Sequence, residues 1–206
     1  MKQEINPKET SRAQAFNMWM KSPMPMVTFV KTLDVSRLVK ASMRTGIKFN
    51  ILMCWCIGKA AKDIKEFYLL VEQGKLFQFD KLAINIIVDN CKGGISTCDV
   101  PYSDDLQQFN ADYLRITQQT ATTCRHITLE DYMIIGTSTL VQTEVDCVIN
   151  QYSGIFNNPF LVWGRYHKGW FKTTLPVSLQ YHHVQMDGGQ AATFLQRLQD
   201  EIEKGL

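Results

Sequence analysis

Near the C-terminal end of the sequence stand two adjacent histidines, His182 and His183, with Asp187 four residues beyond the second and Gly188-Gly189 directly after it. Histidine titrates near neutrality, and partial burial lowers its pKa, leaving a neutral imidazole able to take up a proton. Such a group is a candidate general base. The same residues admit a plainer reading, in which the histidines are satisfied core or surface groups and Asp-Gly-Gly is a turn and helix cap. A His with an Asp four residues on needs a third group before it makes a site.

Other chemistries have less support. His182, His183 and Asp187, taken with the distant His126 or His167, show no recognised metal-ligand spacing. Cys54 and Cys56 lie in FNILMCWCIGKAAKDIKEF, whose apolar residues recur at helical spacing. Residues two apart on a helix do not face each other, so this pair cannot close on one ion, and no metal is expected. Neither glycine-rich phosphate-binding pattern is present. The six cysteines (Cys54, Cys56, Cys91, Cys98, Cys124 and Cys147) include no Cys-x-x-Cys pair and read as reduced, mostly buried thiols.

The elements that must position the histidines can be read from periodicity. In LPVSLQYHH, alternation places Val177, Leu179, Tyr181 and His183 on one face of a strand and His182 on the other. From Ala191 onward, Phe194, Leu195, Leu198 and Ile202 continue a helical stripe, so His183 stands where a strand gives way to a terminal helix. Upstream, the pattern predicts a helix over 9–20, a strand in MVTFVKTLD, a helix over 35–46 ended by Gly46, and a buried helix over 49–67. Two short β runs flank a turn at Glu72-Gln73-Gly74-Lys75, and GGISTCDV reads as a further strand. A helix follows over 104–120, with strands over 132–149 and 159–166.

No repeat, low-complexity tract or linker divides the 206 residues, so one domain over 1–206 is expected. A hydrophobic share of 45%, a charged share of 20% and a net charge of +2 give no footprint for nucleic acid or an anionic membrane. The opening MKQEINPKETSRAQAF has no apolar signal region, and no stretch supplies the ~18 apolar residues of a membrane span. A cytoplasmic protein is expected.

HHVQMDG, a His-His-x-x-x-Asp-Gly motif at a strand end near the C-terminus, resembles the motif of the chloramphenicol acetyltransferase family. PKETSRAQAF looks like the family's opening segment, with Arg12 followed four residues later by Phe16. KAAKDIKEFYLLVEQGKLFQFDKL is similar to its helix, hairpin and turn, and GRYHKGWFKTTLPVSLQYHH to its approach to the histidine, so the likeness spans essentially the whole chain.

The resemblance implies an α/β two-layer sandwich of the CoA-dependent acyltransferase type, a mixed β-sheet with helices on one side. It implies transfer of an acetyl group from acetyl-CoA to a hydroxyl of a small-molecule acceptor, chloramphenicol foremost, with no covalent enzyme intermediate. His183 would be the general base, its ring held in one tautomer by its own backbone carbonyl, and Asp187 would pair with Arg12 in a structural ion pair. Ser138 would donate to the oxyanion, with Thr137 or Thr139 as alternatives, because the family's Pro-Trp after the serine is Val141-Gln142 here. Arg165 and Tyr166 would contact the coenzyme, while Met18, Trp19 and Val162 fall at family acceptor-pocket positions and depart from the family's residues. A homotrimer with active sites between subunits is implied as well. GGQAATFLQRL after His-x-x-x-Asp also resembles the catalytic core of dihydrolipoamide acyltransferases, whose acceptor is a lipoyl thiol. The lipoyl modules and long linkers of those enzymes are missing here, and they usually carry Asp where His182 stands. A non-enzymatic ligand-binding descendant of the fold is a third reading, opposed by the intact Arg12, His183 and Asp187.

Overall fold

Turn and cap chemistry sets the element boundaries. Gly46 ends a helix in the left-handed region at φ 74°, and Gln73-Gly74 make the tight hairpin turn at φ 49° and 79°. Asp105 accepts from the N–H groups of Gln107 and Gln108 and starts the longest helix. The structure, a computed structural model, describes residues 1–205. In chain order it contains β1 (Gln3–Ile5), α1 (Ala13–Trp19), β2 (Met26–Asp34), α2 (Ser36–Thr45), α3 (Phe49–Ala61), β3 (Leu69–Glu72), β4 (Lys75–Gln78) and β5 (Leu82–Asp89). There follow β6 (Ile95–Pro101), α4 (Leu106–Thr123), β7 (Met133–Leu140), β8 (Phe160–Gly164), β9 (His167–Lys168), β10 (Thr173–His182) and α5 (Gly188–Lys204).

The main sheet runs β2-β10-β8-β7-β5-β6, with β9 paired to β10, and a small sheet runs β1-β4-β3. The fold is α+β with a mixed sheet, because β7 lies parallel to both β5 and β8 while the remaining pairs are antiparallel. Alternation along the strands decides which face is covered. Leu33, Leu175, Val177, Leu179, Leu161, Trp163, Ile84 and Val100 are buried together with α2, α3 and α5 in the main core. The opposite face carries Val30 and Ile95 exposed and is polar along Ser178 and Gln180.

One break in pairing shapes the site. β5 and β7 pair from Leu82–Met133 to Asn85–Gly136. Past that rung, Ile86–Asp89 continue beside β6 and Thr137–Leu140 beside β8, so the two parallel strands part toward their C-terminal ends. Thr137 Oγ1 donates to Asn85 O at 2.7 Å and pins the fork. A crevice at the carboxyl ends of diverging parallel strands is a natural ligand position in α/β sheets.

The expected strand over 132–149 stops at Leu140. Residues 141–159 instead cross the open face, where Val148 N donates to Ser178 Oγ at 2.9 Å and Gln180 Nε2 to Asn150 O at 2.9 Å. The helix expected over 49–67 likewise ends at Ala61, followed by a 3₁₀ turn over Lys65–Tyr68 that redirects the chain into β3. Thiol burial divides evenly: Cys54, Cys56 and Cys98 are buried, Cys91 and Cys147 exposed, and Cys124 in between.

Candidate active site

β10 ends at His182, and His183 is the first residue of the turn that leads into α5. Tyr181 packs edge-on against Phe29 in the main core, whereas the ring of His183 stacks on Trp19 at 4.4 Å and 9°. The two residues thus have different ring partners, Phe29 for Tyr181 and Trp19 for His183. His183 N–H donates to Pro25 O at 2.8 Å, which ties the turn to the segment between α1 and β2.

Arg12 holds this turn together. It is 4% exposed, and its guanidinium donates from Nε to Val184 O at 2.8 Å and from Nη2 to His183 O at 2.8 Å. It grips Asp187 with two bonds, Nη1 to Oδ2 at 2.6 Å and Nη2 to Oδ1 at 2.8 Å. A planar, always charged fork suits this combination of two carbonyls and one carboxylate, and a lysine would not reproduce it. The Arg12 hydrogen bonds hold the Asp187 carboxyl below the usual carboxylate range, against the opposing effect of burial. Asp187 is also the N-cap residue of α5, its backbone N–H donating to Gln190 Oε1 at 3.0 Å, so the cap and ion-pair readings meet in one residue, the backbone serving the first and the carboxylate the second.

The tautomer clamp expected from the resemblance is not formed. His183 O is occupied by Arg12, and Nδ1 lies 3.2 Å from Asp187 Oδ1 without a hydrogen bond to any described residue. Asp187 therefore borders His183 directly and also meets it through Arg12, which bonds both residues. His182 is the buried member of the pair, 2% exposed, with Nδ1 accepting from Val184 N–H at 3.1 Å. Burial pushes its pKa down to about 4, with the neighbouring His183 adding to the effect. A neutral His182 with its proton on Nε2 follows from that bond.

The fork between β5 and β7 opens into a cavity of about 1140 Å³ lined by Lys48, Phe49, Ser138, Arg165, Tyr166 and Lys168, among others. Tyr166 meets Phe49 edge-on at 5.1 Å, which places an aromatic wall between basic groups. Arg165 and Tyr166, to which the resemblance gives a coenzyme contact, share this lining with Lys48 and Phe49, to which it gives no role. The signal was there: Lys48 is the N-cap residue of α3 with no side-chain cap, a position where a cation opposes the helix dipole unless an anion joins it.

Thr137, Ser138 and Thr139 all line the cavity. The hydroxyl proton of Thr137 is already given to Asn85 O. Alternation turns Ser138 to the opposite, open face of the sheet. Val162, 4% exposed, lies between the partners, opposite Ser138 on one side and Ser178 on the other. Met18 is 59% exposed and stands apart from the ring stack made by its neighbour Trp19.

Ser138 and His183 stand apart within one chain. Ser138 is two strands from Ser178, and His183 is five residues farther along. Strand spacing and rise put the two backbone positions roughly 19 Å apart.

A model of the chloramphenicol acetyltransferase family matches residues 3–199. The chain belongs to that family. Chloramphenicol acetyltransferase 3 of Escherichia coli is 24% identical over 174 residues, covering 82% of this chain and 81% of the relative. A solved chloramphenicol acetyltransferase superposes with a TM-score of 0.83 at 17% identity, over 98% of this chain and 100% of the other. A truncated catalytic core of the 2-oxoacid dehydrogenase multienzyme complex from Thermoplasma acidophilum gives 0.71 at 17% identity, over 98% of each chain. The fold is therefore of the CoA-dependent acyltransferase type, and membership of the chloramphenicol acetyltransferase family supports acetyl transfer, with acetyl-CoA as that family's co-substrate. The basic and aromatic lining of the cavity fits an acidic, purine-bearing molecule of that kind. Among the described residues, no helix is long and apolar enough to cross a membrane and no cluster suits a metal ion.

Proposed function

We propose that this protein transfers the acetyl group of acetyl-CoA to a hydroxyl of a small molecule, with chloramphenicol the first acceptor to test. The observation that carries the reading is the Arg12 clamp, which fixes Asp187 and the His183 carbonyl together and so presents a partly exposed imidazole on a rigid turn. His183 takes the acceptor's hydroxyl proton as its oxygen attacks the thioester carbonyl. Ser138 donates to the carbonyl oxygen while negative charge builds there. The new C–O bond forms, the C–S bond breaks, and the departing thiolate recovers the proton from His183. Arg12 and Asp187 are positioning residues in this scheme.

Lys48, Arg165 and Lys168 supply positive charge to the coenzyme's phosphates, and Phe49 and Tyr166 offer an aromatic wall to its adenine. Trp19 covers one face of the base, so the acceptor approaches the other. The separation of His183 from Ser138 within the chain supports a working unit that joins two copies, in a homotrimer.

Release of free CoA from acetyl-CoA, followed with chloramphenicol, a panel of alcohols and dihydrolipoamide, tests the reading. His183→Ala should lower turnover about 10²- to 10⁴-fold. Full activity in that variant would remove His183 as the base. Turnover with dihydrolipoamide and with no alcohol would move the acceptor to a lipoyl thiol.

A further inference from the structure

Cys91 and Cys124 lie outside the acyl-transfer machinery, yet their sulfur atoms are 2.7 Å apart across 33 residues of sequence. Cys91 stands in the turn between β5 and β6, which Asn90 and Gly94 close with a 2.8 Å backbone bond. Cys124 caps the C-terminal end of α4. The two backbones are already docked, since Cys91 N–H donates to Ala121 O at 2.9 Å. Proximity here belongs to the packing of hairpin on helix and is not a chance of side-chain rotamers.

A second feature sets this pair apart. Cys124 sits in the left-handed region at φ 55°, a position after a helix where glycine is preferred because a β-carbon is disfavoured there. The β-carbon that glycine would lack is the one that carries this thiol toward Cys91. Cys91 is exposed and Cys124 partly so. The hydrogen bond from Cys91 lowers the Cys124 thiol toward its thiolate, and Lys92 acts in the same direction.

We propose that Cys91 and Cys124 form a reversible disulfide site, closed by a low-molecular-weight disulfide such as glutathione disulfide. The Cys124 thiolate attacks one glutathione sulfur, forming a mixed disulfide and releasing one glutathione thiolate. Cys91 then gives up its proton and attacks the Cys124 sulfur, forming the protein disulfide and releasing the second. Two protein thiols are oxidised, one glutathione disulfide is reduced, and the two thiol protons pass to the two glutathiones. The link joins two walls of the cavity, because Asp89 and Ile95 of the hairpin and Tyr113 and Thr117 of α4 all line it.

The test uses the full chain, reduced and then equilibrated with glutathione disulfide. Intact mass should fall by two hydrogens, peptide mapping should join Cys91 to Cys124, and Tm should rise by about 5 to 10 °C and return on reduction. Cys91→Ser and Cys124→Ser should each abolish the rise, while Cys147→Ser should keep it. Stable glutathione adducts in place of the internal link, a link through Cys147, or an unchanged rise in Cys91→Ser would overturn the proposal.

Discussion

At the scale of single residues, the two histidines are adjacent in sequence and unlike in environment. His182 is buried against Val184 with its pKa near 4, below the 6.5 of a free imidazole. The unfolded chain binds the proton that the native state refuses, so this group destabilises the fold as pH falls from about 6.5 toward 4, by about 3 kcal/mol in all. Above that window its contribution is complete. Urea midpoints measured between pH 7 and 4.5 should show the slope, and His182→Asn, whose Oδ1 can accept from Val184 N–H, should flatten it. Equal slopes in the two proteins would assign the acid sensitivity elsewhere. Asp187, held below the usual carboxylate range by Arg12, adds its loss only at lower pH. Residue types and the Arg12, His183 and Asp187 positions were readable from the chain, because they form a short motif and a distant arginine at a fixed place. The ring that stacks on His183 was not, because Trp19 is 164 residues away in sequence.

At the scale of elements, turn and cap signals located most boundaries, and the failures fell where side chains replaced a regular partner. The segment after Leu140 has strand-like composition but spends its bonds on the side chains of Ser178 and Gln180 and on the backbone N–H of Arg165. Gly164 permits this crossing: a β-carbon there would lie 2.7 Å from Thr143 O and 2.9 Å from Val145 N. Gly164→Ala should push the segment off β8, cost about 1 to 3 kcal/mol of stability and weaken coenzyme binding through the neighbouring Arg165 and Tyr166. Denaturant melts and the KM for acetyl-CoA measure the two effects. Loss of stability with an unchanged KM would separate the segment from the coenzyme cavity.

At the scale of the whole molecule, the proposed base His183 and the proposed oxyanion donor Ser138 stand on separate strands, and the proposed site joins two copies of the chain. Inactive His183→Ala and Ser138→Ala proteins, unfolded together, refolded and mixed equally, should recover about a quarter of wild-type activity if each site takes its base from one copy and its serine from the next. No recovery above the sum of the parents would place both groups in one chain's site. The sequence by itself determined the helix and strand types, the Arg12–His183–Asp187 set and the family, because periodicity, caps and short motifs are local properties. Tertiary structure alone decided three matters: the fork of β5 from β7, the stacking of Trp19 on His183, and the meeting of Cys91 with Cys124. Each depends on where long-range strand pairing stops and on which surfaces dock, and such contacts between distant residues leave no periodic mark on the chain.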